Sequence, residues 1–338
     1  MIRNRLLRLS IALAAAVIAT AGVATATASA NLTGAGSTLV APIMANWVKG
    51  YESSGGTGVK YSAIGSGGGI QQVTARTVDF GATDAPLTRE QASACGSCVT
   101  IPRALSATGV GYNLSGVKGL NLSGPVLAEI YLGKIKKWND AKIKRLNKNL
   151  KLPGTKITPV FRSDGSGDTY AFTDFLSKAS PSWKRNVGFA TSVGFPAGVG
   201  AKGNPGMTAA VGRTQGAIGY ISASYLIAAG LKVAAIQNRA GRFEFPNLAN
   251  IAAAAATVKR VPASNTVSIV NPPRSAKKAY PISTFTYAVV PKDASQKSTI
   301  KSFITYAITK GAKFGASLDF APLPAVVLKA AKKAVAGL

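Results

Sequence analysis

The chain has 338 residues, with 40 Lys and Arg against 12 Asp and Glu, no histidine, and a formal net charge of +28. The length allows a large buried core in one or two domains. The lack of histidine removes Ser–His–Asp and Cys–His catalysis, the commonest general base and the commonest metal ligand. Charge of this size first suggests nucleic acid. However, the Lys and Arg are spread through the chain, and aromatic residues make up only 7%, too few for stacking platforms. No nucleic-acid partner is expected. A field that attracts small anions, or adaptation to an acidic exterior, fits better, beside the plain alternative of a solvated basic surface.

Arg3, Arg5 and Arg8 precede an apolar run that ends at Ala28-Ser29-Ala30, a small-residue cleavage pattern. Residues 1–30 therefore read as a secretory signal peptide. The alternative is an uncleaved membrane anchor, for which the Ala- and Thr-rich end of the run is weakly hydrophobic. No Cys follows the cleavage point, so a lipid anchor is not expected. The protein is expected in a periplasm or outside the cell.

From Asn31 onward strand-like and helix-like segments alternate, which argues α/β. After Gly34-Ala-Gly-Ser-Thr38, residues Leu39, Ile43 and Trp47 recur at helical spacing. Pro42 sits where a helix start tolerates it, and Gly50 is read as the helix end. Residues 59–64 predict a strand feeding Gly65-Ser66-Gly-Gly-Gly69, and Ile70, Val73 and Thr77 a short helix. Residues 78–82 read as a buried strand that delivers Asp84 to its end. Cys95 and Cys98 are close in sequence, and in an oxidising compartment a short disulfide loop is favoured over a redox-active pair. Zinc would need four ligands, which only carboxylates could complete here.

Residues 101–112 have β character, and residues 126–130 predict a helix ending near Gly133. Residues 157–161 predict a strand running into Arg162 and Asp164-Gly-Ser166-Gly-Asp168. Phe172, Phe175 and Leu176 follow as a core-facing stripe. Residues 216–220 form a turn into a strand, 252–256 a helix, and 282–290 a strand. Residues 329–335 form a basic helix with a solvated face. After the N-terminus no segment offers about 20 uninterrupted apolar residues.

Three of these strings share one design: the ones at Gly34, Gly65 and Asp164 set Gly beside small hydroxyls and then open a run of helical spacing. A helix start leaves N–H groups unpaired and carries partial positive charge. Gly lets backbone approach a ligand, and Ser or Thr adds donors. Three such starts converging on one cleft would wrap a small oxyanion. None of them fits the Gly-x-Ser-x-Gly nucleophile turn, and the Walker pattern is absent.

In this order, the strings resemble the phosphate-binding protein of bacterial high-affinity phosphate ABC transporters. Val78-Asp-Phe-Gly-Ala-Thr-Asp-Ala-Pro86, Ile130-Tyr-Leu-Gly-Lys-Ile-Lys-Lys-Trp138, Gly216-Ala-Ile-Gly-Tyr220, Lys310-Gly-Ala-Lys313 and Leu323-Pro324 extend the resemblance over essentially the whole mature chain. It implies the two-lobed periplasmic-binding fold of type II, each lobe a sheet flanked by helices, with extended strands crossing the hinge. One lobe is expected at 31–105 and 282–338, the other at 106–281, closing over ligand by hinge motion.

The resemblance further implies that Thr38 donates its hydroxyl, Leu39 its N–H and Ser66 its hydroxyl. It implies that Asp84 accepts from a phosphate P–OH. Arg162 pairs with phosphate oxygens, Ser166 and the Gly167 N–H complete the third loop, and Asp164 orients Arg162. Two positions depart from the family pattern. The residue after Ser66 is often Ser there, and the position of Asp168 is commonly Thr. We expect Asp84 and Asp168 both to take P–OH protons, so that H₂PO₄⁻ is bound well; the alternative is a helix-start acid turned to solvent.

The resemblance implies that the protein does no chemistry, and no cofactor or metal is expected. Its implied partners are inorganic phosphate and a membrane permease, and a monomer is expected. Other readings are a binder of arsenate, sulfate or molybdate, a secreted serine-dependent phosphatase-like enzyme, and an adhesin or scaffold that kept the fold.

Overall fold

One strand of fifteen residues organises the molecule. The computed structural model describes residues 31–338; the expected signal peptide at 1–30 lies outside the described residues. The strands, in chain order, are β1 (Leu32–Gly36), β2 (Val59–Ala63), β3 (Phe80–Thr83), β4 (Cys98–Tyr112), β5 (Asn121–Leu122), β6 (Thr158–Arg162), β7 (Val199–Ala201), β8 (Ala217–Ser222), β9 (Lys232–Gln237), β10 (Phe243–Glu244) and β11 (Ser283–Pro291). They hydrogen-bond in the order β2-β1-β3-β11-β4-β8-β6-β7, with β9 joining β4 to β5 and β10.

The long strand β4 belongs to two neighbourhoods. Its first part, Cys98 to Ala107, pairs antiparallel with β11. Its last part, Thr108 to Tyr112, pairs antiparallel with β8 and, over Val110 to Tyr112, with β9. Beyond β11 the sheet continues through β3, β1 and β2, the last three mutually parallel. Beyond β8 it continues through parallel β6 and β7. The register of β4 against β11 slips once, with Tyr287 opposite Pro102 and Thr286 opposite Ala104, so Arg103 is the additional residue of a bulge.

Two apolar cores flank this path. One gathers Trp47, Phe80, Ile101, Phe303 and Phe320. The other gathers Tyr131, Trp138, Phe172, Trp183 and Tyr220. In the helix Ala41–Ser53 the buried residues are Ile43, Met44, Trp47 and Tyr51, the spacing of one helical face. In the basic helix Ala325–Ala336, Val327, Ala331 and Val335 are buried while Lys329, Lys332 and Lys333 are exposed. Among the described residues no helix is long and apolar enough to cross a membrane.

The structure corrects the sequence reading at several points. Gly50 does not end its helix, which runs on to Ser53. A Cβ at Gly50 would run into Tyr306 Oη, so the glycine there makes room for a neighbouring helix. Gly34 and Gly36 are not loop residues but lie in β1. The Phe80 ring lies where a Gly34 side chain would stand. The strand expected at 78–82 begins at Phe80, because the Asp79 carboxylate is used to accept the Thr33 N–H and hydroxyl at 2.7 Å each. The helices Arg89–Cys95, Gly203–Arg213 and Lys297–Ile308 were not foreseen. Cys95 and Cys98 are joined in a disulfide at the end of the first of these.

Gly36 has φ +141°, and a Cβ on it would collide with the Ala82 carbonyl of β3. Gly55, with φ +85°, faces open space. Gly36→Ala is therefore expected to cost about 3 kcal/mol or more, and Gly55→Ala about 1 kcal/mol. Urea denaturation checks both, and equal losses would contradict the packing argument.

Candidate functional site

Four strand ends deliver polar groups to one buried cluster. β3 ends at Thr83, and Asp84 follows, 1% exposed. The Ser37 hydroxyl, just after β1, donates to Asp84 Oδ2 at 2.5 Å. Ser66 opens the helix Ser66–Thr74, and its hydroxyl lies 3.5 Å from the same oxygen. Ser66 Oγ also accepts the Asp84 N–H at 3.3 Å and the Gly167 N–H at 3.2 Å. By distance and angle Asp84 Oδ1 is buried with no well-formed hydrogen bond, although the Thr286 hydroxyl beside it on β11 helps to hold the carboxylate ionised. An unpaired acceptor in such a place is costly unless something is meant to donate to it.

Arg162 ends β6, and its main-chain N–H donates to Tyr220 Oη at 2.9 Å. Its guanidinium grips Asp164 in a fork, Nε to Oδ1 at 2.7 Å and Nη2 to Oδ2 at 2.5 Å. Nη1 reaches Asp168 Oδ2 at 3.3 Å. Asp164 is fixed in turn by the Gly203 N–H at 2.9 Å. Ser166 is the N-cap of the helix Gly167–Ala179, accepting the Thr169 N–H at 3.2 Å.

Asp168, in the first turn of that helix, is 1% exposed, which overturns the solvent-facing alternative. The Thr108 hydroxyl donates to its Oδ1 and the Asn204 amide to its Oδ2, each at 2.7 Å. Its two oxygens are thus already engaged by protein donors. Thr38 Oγ1 accepts from Asn204 twice, from Nδ2 at 3.0 Å and from the main-chain N–H at 3.3 Å. The Leu39 side chain is fully buried, so only its main chain is free for the role expected of it.

Close approach of the loops depends on glycine. A Cβ on Gly65 would strike Asp164 Oδ2, and one on Gly167 would lie 2.5 Å from Asp84 Cβ. The Gly67 N–H donates to Gly165 O at 3.0 Å, and a Cβ on Gly67 would sit 3.1 Å from Gly165 Cα.

The charges of the cluster are strongly perturbed. Burial, followed by the Asp168 carboxylate, pushes Asp84 from its ordinary 3.8 up to about 7, against the pull of Ser37, Thr286 and Arg103. Burial also raises Asp168, although Arg162, Thr108 and Asn204 oppose it. For Arg162, burial favours the neutral form, but Asp164 and Asp168 prevail and the guanidinium is held above its ordinary value. Asp164 is lowered, the Arg162 fork outweighing its burial.

All the sequence-derived residues from Thr38 to Asp168 thus meet in one region, with Cys95 and Cys98 in their own bridge. Sequence reasoning missed Ser37, Thr108, Asn204 and Tyr220. Ser37 and Tyr220 lie inside strings already singled out. Pro205 in Lys202-Gly-Asn-Pro-Gly206 marks a helix start that could have been read. Nothing local announces that the Asn204 amide bridges Thr38 and Asp168.

A family model described as a PBP superfamily domain matches residues 21–310. The phosphate-binding protein PstS of Xylella fastidiosa (strain Temecula1) is 38% identical over 306 residues, covering 89% of this chain and 84% of that protein. The phosphate-binding protein PstS of Haemophilus influenzae is 39% identical over 308 residues, covering 89% and 91%. A high affinity periplasmic phosphate-binding protein (PfluDING) solved with bound phosphate is similar with a TM-score of 0.73 at 21% identity, over 90% of this chain and 93% of that one. The sheet order, the flanking helices and this likeness give the type II periplasmic-binding fold. The chain therefore belongs to the PBP superfamily and, within it, to the family of PstS phosphate-binding proteins.

Proposed function

We propose that this protein captures inorganic phosphate outside the cytoplasm and delivers it to the permease of an ABC importer, binding and releasing the ion without altering it. In this reading residues 31–105 and 282–338 form one lobe, residues 106–281 the other, and β4 and β11 act as the hinge. The observation that carries it is Asp84 Oδ1, a buried acceptor with no partner set among hydroxyls and N–H groups. An anion site has no use for a carboxylate unless the anion itself brings a proton.

Phosphate keeps at least one proton near neutrality and can donate to Asp84. Sulfate has the same shape but no proton, and would set lone pairs against lone pairs. A buried site built for one hydrogen bond rejects the analogue that lacks it by about 10⁴-fold or more. The donors would be the hydroxyls of Thr38, Ser66 and Ser166, the N–H groups of Leu39 and Gly167, and Arg162. Several of these now hold one another, Ser66 with Gly167 and Thr38 with Asn204, so the ligand takes over existing bonds in an ordered frame. Asp164 orients Arg162, and Asp168 acts on the ligand through Arg162 and Asp84. Arsenate carries protons as phosphate does and is expected to bind.

Calorimetry with phosphate and sulfate tests this. Arg162→Ala and Asp84→Asn are each expected to weaken phosphate by about 100-fold or more. Unchanged affinity in either would remove the reading.

Asp84 titrates near 7, and its protonated form can donate to sulfate. The preference for phosphate over sulfate is therefore expected to widen as pH rises from about 6 to about 8. A constant ratio would count against Asp84 as the selecting acceptor.

The same shift has a cost in stability. The Asp84 carboxyl ionises at 3.8 when unfolded and at about 7 when folded. Folding is penalised progressively between those values and fully above the higher one. Asp84→Asn is expected to stabilise the ligand-free protein by on the order of 2–4 kcal/mol above pH about 7, and not at all below about 4. Denaturant midpoints at the two extremes check it.

A further inference from the structure

The buried side-chain polar atoms without a partner fall mostly in one place. Among the described residues they are Asp84 Oδ1, Thr286 Oγ1, Arg103 Nε and Nη1, and Ser177 Oγ. All but the last belong to three residues on adjacent strands. β3 and β11 run antiparallel with Thr83 opposite Tyr287, so Asp84, one residue on, stands beside Thr286. The Thr284 hydroxyl donates to the Asp84 carbonyl at 3.0 Å and extends that pairing past the end of β3.

Arg103 is the additional residue of the β4 bulge, between Pro102 and Ala104, which face Tyr287 and Thr286. Bulges re-aim side chains, and this one turns a guanidinium inward. Arg103 is 2% exposed, lies 5.7 Å from the Trp47 ring centre, and donates Nη2–H to Tyr287 O at 3.2 Å. It takes part in none of the ion pairs among the described residues. A buried cation with unpaired N–H groups is expensive to keep, and it needs a reason.

The charged and titratable groups that act on or face Asp84 are Asp168 at the start of the helix Gly167–Ala179, Arg103 in the bulge, Tyr61 on β2 and Tyr287 on β11. Arg103 is the one cation among these four. Arg162 is taken up by Asp164 and Asp168. We infer that Arg103 is a positioning residue for anion selection, helping from the neighbouring β4 bulge to keep Asp84 ionised so that it meets the ligand as an acceptor. This rests on the phosphate reading above.

The electrostatics run the same way. Burial and Asp168 push Asp84 up, and the Ser37 hydroxyl, the Thr286 hydroxyl and Arg103 oppose them, Arg103 being the one full charge that does so. Burial lowers Arg103 to about 10, while Tyr61 and Asp84 oppose that shift, so the guanidinium stays charged at neutral pH. Without Arg103, Asp84 would hold its proton to higher pH and could donate to sulfate. The residue would then guard against sulfate without touching it.

The test is sulfate and phosphate affinity across pH for wild type, Arg103→Met and Arg103→Lys. In wild type, sulfate affinity rises as pH falls through the Asp84 titration. In Arg103→Met that midpoint moves up, and sulfate competes better than in wild type at alkaline pH. Arg103→Lys, which keeps the charge, stays near the wild-type midpoint. The same midpoint in Arg103→Met and wild type overturns the inference while leaving phosphate binding in place. A wild type that binds no phosphate removes both.

Should Arg103→Met not fold, nitrogen-15 NMR of wild type decides. The Arg103 Nε shift must follow the Asp84 titration and lose that dependence in Asp84→Asn. An Arg103 signal indifferent to that titration overturns the inference.

Discussion

Asp84 Oδ2 takes the Ser37 hydroxyl at 2.5 Å and lies within 3.5 Å of Ser66, while Oδ1 is left open inside the protein. Much of the surrounding cluster can be understood as the means of holding a carboxylate in that state. It must be buried, because selectivity by a single hydrogen bond fails when water can substitute. It must stay ionised often enough to accept, although burial and Asp168 favour its neutral form. For the proposed role it must also stand where donors from both halves of the sheet can surround one ion. β3 satisfies the last condition by ending one residue before Asp84, between β1 and β11.

Those demands explain the backbone around it. Helix beginnings at Ser66 and Gly167 bring N–H groups from segments a hundred residues apart in sequence. They meet because glycine occupies the points of nearest approach: Gly65 against Asp164, Gly67 against Gly165, Gly167 against Asp84. A methyl group at any of these would hold the loops apart, and the donors would lose the short distances on which they depend. The β4 strand carries the mechanical consequence. It is bonded to β11 along one stretch and to β8 along the next, so one continuous strand connects both sets of loops.

How much of this could be read from the chain follows from the range of the interactions. The Gly–Ser strings at Gly65 and Asp164 were legible because their function is local, a turn opening a helix. Asp84 was legible as the residue after a short buried strand. Gly34 and Gly50 were misread, since each is glycine for the sake of a distant side chain, Phe80 in one case and Tyr306 in the other. Asn204 and Arg103 were invisible for the same reason. Asn204 reaches Thr38 across 166 positions, and Arg103 reaches the Tyr287 carbonyl across 184. Composition cannot announce a role that exists only once two strands have settled into register with a bulge between them.

The charge balance then resolves an apparent contradiction. The chain carries +28, yet the buried cluster of the proposed site holds Asp84, Asp164 and Asp168 around Arg162. These act over different distances. Charge spread over an exterior can draw anions from solution, but salt screens it beyond about 10 Å and it cannot tell phosphate from sulfate. Inside, net positive charge would be a poor selector, because it would favour the more highly charged ion irrespective of protons. Dipoles do better. Hydroxyls and helix-start N–H groups attract any tetrahedral oxyanion, and the carboxylates then penalise one that brings no proton. In the proposed site the Asp84 carboxylate is thus what turns attraction into discrimination, and Asp168 works both ways: it neutralises part of the Arg162 charge, but by pressing on Asp84 it favours the protonated form that can donate to sulfate, a push that the Ser37 hydroxyl, Thr286 and Arg103 oppose.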